Sequence, residues 1–262
     1  MDISVVTYGS GYTYDIYERF IGSLNNTGFT GSIYIIVKQS DIPVLNKLQY
    51  KNIVACIDDI EQITHINNHR FFCIEKVLTD IESDYIFVCD FRDVLFQKNI
   101  ESYPCKFSDL YVFAESIKIM DEPHYNTPWL KQLERLFKED FYNSISDKHI
   151  LCCGTTFGTK KAINAYIKVM CAIIQEFNIV TNLDQGIHNY LFHLNKLQIH
   201  TTILTNEDNL VNTVGNDIHR VNSDNLIVNS NNEVSYVVHQ YDRFSLDLKQ
   251  RITSKLGFNF VS

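Results

Sequence analysis

Apolar residues in the first half of the chain alternate between short continuous runs and helical repeats. The continuous runs predict strands buried on both faces, as in parallel sheets, and they cover residues 3–7, 32–37 and 53–57. Between the first two runs, apolar residues recur at helical spacing over residues 13–25, and Asn67 or Asn68 can cap a further helix. Strands that alternate with helices in this way predict an α/β fold with right-handed crossovers.

The second half of the chain has a less regular pattern. We expect strands at residues 110–114, 150–153, 198–204 and 234–239. We expect one helix that ends near residue 141, a second helix that Thr159 caps, and a third over residues 184–194. Residues 206–233 are rich in Asn and Asp, and predict only loops and short strands. The whole pattern predicts a single α/β domain with a mixed, mostly parallel central sheet flanked by helices.

The segment at residues 85–97 carries the strongest chemical signal, and it reads YIFVCDFRDVLFQ. Its apolar run ends in Asp90 and Asp93, and ligands of parallel sheets bind beyond the carboxyl ends of the strands. One or two carboxylates together with substrate phosphates are a usual way to hold Mg²⁺ or Mn²⁺. The alternative is a solvated turn after a strand, in which Asp is common.

Composition and charge narrow the possible partners. A formal charge of −8 and a pI near 5.5 argue against nucleic acid or an anionic membrane as a partner, so any phosphate site must be local. No export signal opens the chain and no apolar run approaches the length of a membrane span. The seven cysteines are dispersed without a C-x-x-C pair, which argues against structural zinc and predicts a reduced, cytoplasmic protein. His65 and His69 stand four residues apart, but no acid completes a site with them, so we do not expect a metal there.

Five segments together resemble motifs of small GT-A-type glycosyltransferases found in large DNA viruses and some algae. The segments are DFRDVLFQKN (90–99), CCGTTFGT (152–159), DQGIHNYL (184–191), NTVG (212–215) and VVHQYDR (237–243). Their order and spacing match over roughly residues 2 to 243. The resemblance implies one GT-A-like domain over residues 1–262, in which 1–100 bind the nucleotide and 101–262 shape the donor-sugar and acceptor sites. If the source is viral, the location is the host cytoplasm.

The resemblance implies a metal site at the acidic motif, which here is D-x-x-D because Arg92 intervenes. Asp93 would bind the metal, and Asp90 would meet the ribose or the metal and its water shell. His239 would be the third ligand and would favour Mn²⁺ over Mg²⁺, because imidazole is the softer donor. The alternative for His239 is a histidine of the core, and we expect Arg92 to be a structural ion-pair partner.

The resemblance also implies where the nucleotide lies. Thr7, Tyr8 and Gly9 would meet the base and ribose, since a tyrosine can stack on a pyrimidine and glycine allows close backbone approach. An ordinary bend between strand and helix is the alternative for these three residues. Arg70 could reach the diphosphate or lie on the surface, and Arg243 could fork onto the diphosphate, with Asp242 orienting it.

The donor-sugar site is implied by two further segments. Gly154 and Thr155, at a strand end, would pass their backbone against the sugar. Asp184 and Gln185 open a short helix, where a carboxylate can simply be a cap. If the enzyme inverts the anomeric centre, Asp184 is the candidate base; if it retains, Asp184 only holds the sugar. Trp129 could line the acceptor site or anchor a helix.

The resemblance therefore implies a metal-dependent glycosyltransferase that uses Mn²⁺ or Mg²⁺. It would transfer a hexosyl or deoxyhexosyl group from a nucleoside-diphosphate sugar, UDP by preference, to a hydroxyl of a glycan or glycoprotein. One alternative is a module that binds nucleotide-sugar without turnover. Another is a phosphohydrolase with Asp90 as nucleophile, but that chemistry needs a second acid at the position of Arg92.

Overall fold

The computed structural model of the protein describes residues 1–105, 108–215 and 220–258. The strands, in chain order, are β1 (Ile3–Tyr8), β2 (Ile33–Val37), β3 (Ile53–Ile57), β4 (Tyr85–Cys89), β5 (Val94–Phe96), β6 (Leu110–Lys118), β7 (His149–Thr159), β8 (Thr201–Leu204), β9 (Val211–Thr213), β10 (Arg220–Val221), β11 (Ile227–Val228) and β12 (Val237–His239). The helices are α1 (Tyr14–Asn26), α2 (Ile42–Leu45), α3 (Ile66–Leu78), α4 (Asn126–Phe137), α5 (Tyr142–Ile145), α6 (Lys160–Glu176), α7 (Asp184–His193) and α8 (Leu246–Lys255).

The central sheet has the strand order β3-β2-β1-β4-β7-β6-β8. Neighbours from β3 to β4 are parallel, β7 is antiparallel to both β4 and β6, and β8 is parallel to β6. The predicted α/β domain with a mixed, mostly parallel sheet is confirmed. Because β1 to β4 are parallel, their carboxyl ends meet at one edge, where both Tyr8 and Asp90 lie.

Both faces of the central sheet are covered, which explains its continuous apolar strands. Helices α3, α4, α6 and α7 pack on one face, with residues such as Phe71 and Ile163 in the core. Helix α1 packs on the other face through Tyr17 and Phe20. Helix α8 packs against the small sheet described next, where Ile252 is fully buried.

A second, three-stranded sheet with the order β5-β12-β9 returns the end of the chain to the acidic segment. Strand β12 is antiparallel to β5, and its register sets His239 opposite Val94. The backbone N–H of Gln240 donates to the carbonyl of Asp93 at 2.8 Å. This pairing brings residues almost 150 positions apart in sequence side by side.

Several details differ from the sequence expectations. Strand β6 runs on to Lys118 instead of ending at residue 114, and β8 and β12 each begin three residues later than expected. The cap of α3 is His65, whose side chain accepts from the backbone of Asn67, rather than Asn67 or Asn68. Strand β7 does not end at Gly154 but continues to Thr159, which caps α6 as expected. Helix α8 was not expected from the sequence. Among the described residues, no helix is long and apolar enough to cross a bilayer.

Candidate active site

Two carboxylates and one imidazole meet at the sheet edge beyond β4. His239 Nε2 lies 3.6 Å from a carboxylate oxygen of Asp90 and 3.7 Å from one of Asp93. Cations bound at 2.0–2.6 Å hold neighbouring ligand atoms roughly 3–4 Å apart, so the separations suit a shared divalent ion. The three residues that the sequence and the resemblance pointed to as a metal set are therefore adjacent in space.

The imidazole of His239 is buried, and its Nε2 has no hydrogen-bond partner in the structure. Burial alone would lower the pKa of His239, but the Cys152 thiol, 3.4 Å from Nδ1, and the Asp93 carboxylate raise it to about 9. An unpaired buried nitrogen aimed at two acids costs free energy unless a proton or a cation occupies the space between them. The donor set thus fits a divalent cation, with two hard oxygen ligands and one imidazole.

Gly154 forms the floor of this group. A Cβ at this position would lie 2.6 Å from the Asp90 carboxylate and would also collide with the His239 ring. The carbonyl of Gly154 accepts a hydrogen bond from the backbone of Asp90 at 2.7 Å. The glycine therefore leaves open a space that any side chain would fill.

Arg70 joins the acidic motif to the start of α7. Its guanidinium donates to Asp90, and to Asp184 at 2.9 Å. The Arg70 side chain is only 14% exposed and that of Asp184 7%, so Arg70 is not a surface arginine. Asp184 is the first residue of α7, which has no side-chain cap hydrogen bond. The Asp184 carboxylate therefore pairs with Arg70 instead of capping its helix.

A first cavity of about 330 Å³ opens beside the acidic motif; its lining comprises Tyr8, Ser10, Tyr12, Ile66, Asn67, Arg70, Asp90, Phe91, Arg92 and Asp93. The hydroxyl of Tyr8 donates to Asp58 at 2.8 Å, which fixes its ring at the cavity wall. The ring of Tyr12 stacks on Phe91 with centroids 5.7 Å apart. The cavity thus combines aromatic rings, an arginine and the two acids.

A second cavity of about 520 Å³ lies on the α7 side; its lining comprises Glu115, Glu122, His124, Tyr125, Asn126, Trp129, Gln185, Gln240 and Arg243. The Gln185 amide donates to Asn126 at 2.9 Å. Trp129 is partly buried against the core and tilts against Tyr125, so it both anchors α4 and borders the cavity. Arg243 lies in this cavity and not among the residues that line the first one.

Two glutamates of the second cavity have different surroundings. Burial holds the pKa of Glu115 above its usual value, although His239 and Arg243 oppose this. Burial also tends to raise the pKa of Glu122, but backbone N–H groups of Asn126, Tyr125 and His124 lower it below its usual value. Glu122 therefore accepts hydrogen bonds from the backbone N–H groups at the start of α4. Glu115 remains a carboxyl facing the cavity, and Cys152 lies between it and His239.

Other residues singled out in the sequence, apart from Arg92 in the first cavity, line neither of the two cavities. Thr7 and Thr155 are buried within the central sheet, and neither lines a cavity. Gly9 packs against the Phe91 ring, where a Cβ would approach to 2.8 Å. Arg92 is exposed and pairs with Asp242 at 2.7 Å. The carboxylate of Asp242, which we expected to orient Arg243, therefore forms an ion pair with Arg92.

Sequence reasoning missed Tyr12, Asn67, Asp58 and Glu115. The first two stand beside residues that the sequence did single out, Tyr8 and Arg70, and they share the same wall of the first cavity. Glu115 interrupts the apolar run of β6, and an acid inside a buried strand was a usable signal. Asp58 follows β3 as Asp90 follows β4, so the rule applied to Asp90 could have found it.

Comparison with known proteins shows the fold. The chain superimposes on the galactosyltransferase LgtC, solved with donor and acceptor sugar analogues, with a TM-score of 0.60 and 12% identity, over 99% of this chain and 97% of LgtC. An active-site mutant of LgtC gives a TM-score of 0.57 and 13% identity, again over 99% and 97%. The chain also matches GlyE, a glycosyltransferase of Streptococcus pneumoniae, at 0.47 and 14% identity over 78% and 45% of the chains, too weakly for an argument.

No protein-family model and no curated protein sequence matches the chain. The structural likeness concerns the fold at these identities. The chain has the mixed α/β fold of LgtC, a GT-A glycosyltransferase, as the resemblance implied.

Proposed function

We propose that the protein is a metal-dependent glycosyltransferase that uses a nucleoside-diphosphate sugar, UDP by preference, and a hydroxyl acceptor on a glycan or glycoprotein. The observation that carries this is the buried, unpartnered Nε2 of His239, which faces Asp90 and Asp93. Two cavities flank this group, and the fold is that of LgtC. A metal-dependent glycosyl transfer from a nucleoside-diphosphate sugar needs this combination: a cation site for the diphosphate, and room for both substrates.

In this proposal Asp90, Asp93 and His239 hold Mn²⁺, or Mg²⁺ less well. The bound cation would offset the negative charge on the departing diphosphate. Arg70, held by Asp90 and Asp184, adds a fixed positive charge beside the same group. Because Arg70 is pre-positioned, little free energy is lost in ordering it when the diphosphate arrives.

The first cavity takes the nucleotide. Tyr8 and Tyr12 supply ring faces for a base, and the Asn67 amide is a polar group on the same wall. Thr7 and Gly9 support the bend behind Tyr8, and their part is indirect because Thr7 is buried and Gly9 packs against Phe91.

The donor sugar lies between the cavities, along Gly154, Asp184 and Gln185. Asp184 holds sugar hydroxyls and would accept the acceptor proton if the reaction inverts; its pairing with Arg70 favours the first role. Thr155 supports Gly154 from within the sheet. The second cavity takes the acceptor, with Trp129 and Tyr125 as faces for a sugar ring and Arg243 as a polar contact on that side.

A thermal-shift panel tests the proposal. UDP, GDP, CDP and their hexose and deoxyhexose conjugates are added to the protein with Mn²⁺, Mg²⁺ or chelator. A ligand at 100 times its dissociation constant stabilises the native state by about 2.7 kcal/mol. We expect the largest shift with a UDP-sugar and Mn²⁺, and a much smaller one with chelator. No shift with any conjugate, or equal shifts with chelator, would contradict the proposal.

Two further measurements separate the alternatives. Slow, metal-dependent hydrolysis of the selected donor distinguishes an enzyme from a module that only binds. Release of phosphate from aryl phosphates would instead support the phosphohydrolase, in which Asp90 attacks. Arg70 occupies one oxygen of Asp90, which disfavours Asp90 as a nucleophile.

A further inference from the structure

A second group of metal-ligand side chains lies at the same edge of the central sheet. It consists of Asp58, His69 and Cys73. His69 Nε2 lies 3.1 Å from the Asp58 carboxylate, and the Cys73 sulfur lies 3.3 Å from both Asp58 Oδ1 and His69 Nε2. The Asp58 side chain is 3% exposed and that of His69 1%. A carboxylate, an imidazole and a thiol thus meet in a closed pocket.

The backbone explains why these three residues meet. His69 and Cys73 stand four residues apart on α3 and therefore share one face of the helix. Asp58 directly follows β3 and faces that side of the helix. Two histidines four apart on a helix, completed by an acid, are a known arrangement for zinc, and here Cys73 takes the place of one histidine.

We propose that Asp58, His69 and Cys73 form a zinc site that is separate from the substrate's cation site. Zn²⁺ binds sulfur at about 2.3 Å, imidazole nitrogen at 2.0–2.1 Å and carboxylate oxygen at 2.0–2.2 Å. In a tetrahedron these bonds set the ligand atoms about 3.3–3.6 Å apart. The observed separations of 3.1–3.3 Å are a few tenths of an ångström shorter, so the three side chains need only a small outward movement.

The surroundings of the site already orient its carboxylate. The Tyr8 hydroxyl donates to Asp58 Oδ2 at 2.8 Å, and the backbone N–H of Ile60 donates to Oδ1. Partners of this kind fix a metal-ligating carboxylate and tune its affinity. Oδ1 is the oxygen next to the Cys73 sulfur, so it is the one that the zinc would share with the thiolate. A water molecule can complete the tetrahedron.

Zinc binding at this site releases one proton. Burial and the nearby Asp58 raise the pKa of the Cys73 thiol, so the metal-free site keeps the thiol proton. Zinc binds the thiolate, and that proton leaves to solvent. The proton that His69 Nε2 shares with Asp58 moves to Nδ1, and Nε2 becomes the ligand.

The site would brace the wall of the first cavity. Tyr8 belongs to that wall, and Asn67 and Arg70 precede and follow the His69 turn of α3. Zinc at Asp58 would join the ends of β3 and β1 to this turn. It would therefore act on nucleotide binding through the position of these side chains, and not by touching the nucleotide.

Cobalt substitution tests the site directly, because a cobalt–thiolate bond absorbs in the near ultraviolet. Reduced, metal-free protein is titrated with Co²⁺ and then with Zn²⁺, while absorbance and bound metal are measured. We expect one equivalent to give a thiolate band that Zn²⁺ abolishes. Absence of the band in the wild-type protein would overturn the proposal whatever the variants do.

One ligand variant and two control variants assign the band to this site. Cys73→Ser should lose the band and weaken zinc binding at least about tenfold. Cys105→Ser is the matched control, because this thiol is partly exposed and distant from Asp58 in sequence, and it should keep the band. Asp93→Asn should also keep it, which separates this site from the Asp90 group. A band that survives in Cys73→Ser, or disappears in Cys105→Ser, would place the metal elsewhere and contradict the proposal.

Discussion

Two clusters at the same sheet edge each combine a histidine with carboxylate, yet their hydrogen bonding differs. In the Asp58 cluster, Tyr8, His69 and Cys73 all direct donors at one carboxylate, which is fully satisfied. In the Asp90 cluster, the imidazole nitrogen facing the acids has no partner, and the acids line a cavity. The closed cluster suits a metal that stays, whereas the open one suits a cation that arrives with a phosphorylated substrate.

A third buried imidazole shows what burial does without an acid nearby. Burial lowers the pKa of His188 to about 3, whereas that of His239 is raised to about 9 by its neighbours. Both side chains are buried. The difference between them therefore comes from neighbouring groups such as Asp93 and Cys152, so burial alone does not identify a ligand histidine.

The largest expected effect comes from removing one acid of the open cluster. If the proposed function holds, Asp93→Asn should lower kcat/KM for metal-dependent donor hydrolysis about 100-fold or more, because the cation that would offset the leaving group's charge would lose a ligand. Cys73→Ser tests the Asp58 cluster and should lower the same kcat/KM by a smaller factor. Asp59→Asn, an exposed acid paired with Lys76, is the control and should change nothing. Equal losses in Asp93→Asn and Cys73→Ser would erase the functional difference between the clusters.

The Asp184→Asn variant tests whether buried Arg70, which pairs with both Asp90 and Asp184, holds the open cluster against α7. Arg70 would lose one of its two carboxylate partners, so the free energy of unfolding should fall by about 2–3 kcal/mol. Donor hydrolysis should also slow. Urea unfolding measures the first effect and initial rates the second. A variant with wild-type stability would mean that Asp90 alone satisfies Arg70.

The pH dependence of stability tests the isolated imidazole. The folded-state pKa of His188 is depressed, so its stabilising effect is complete above the unfolded value near 6.5 and is lost as pH falls. Between pH 7 and pH 5 the loss should be about 2 kcal/mol. His188→Gln should flatten this slope while lowering stability overall. An unchanged slope would show that another group titrates.

The smallest expected effect concerns the neighbour of the open cluster's histidine. Cys152 lies 3.4 Å from Nδ1 of His239 and positions the ring. Cys152→Ala should weaken Mn²⁺ binding about tenfold. Loss of a group that hydrogen-bonds to a metal ligand typically weakens binding about 10- to 100-fold, and we expect the low end because a thiol is a weak hydrogen-bonding group. Titration of Mn²⁺ into the variant measures this, with Cys105→Ser as control. If Cys152→Ala weakened Mn²⁺ binding as much as Asp93→Asn does in the same titration, Cys152 would itself be a ligand.

The first half of the fold followed from sequence because its strands are buried on both faces and its helices are regularly patterned. Strands β1 to β4 and helix α1 lie within one or two residues of their predicted bounds, and α3 is present but begins earlier than its predicted caps, Asn67 or Asn68. The second half was harder, because β7 passes straight through Gly154 and β5, β9 and β12 are only three residues each. Such short strands leave little pattern to read.

The site could be predicted where residues follow a strand, and not where contacts cross the fold. Asp90, Asp93 and His239 were named from strand ends and the resemblance, and β12 brings them together. The pairing of Arg70 with Asp184 and the approach of Asp58 to Cys73 join segments that sequence spacing does not relate. The absence of a C-x-x-C pair led away from zinc, because that rule sees only ligands that are close in sequence.

The most direct test of the central claim is calorimetric titration of UDP into wild-type protein and into His239→Asn, each with Mn²⁺ and with chelator. If His239, Asp90 and Asp93 hold the cation of the donor, Mn²⁺ should tighten UDP binding to the wild-type protein at least about tenfold, or about 1.4 kcal/mol. In His239→Asn most of that gain should disappear, while the weak binding in chelator stays the same. Equal tightening by Mn²⁺ in both proteins would contradict the account.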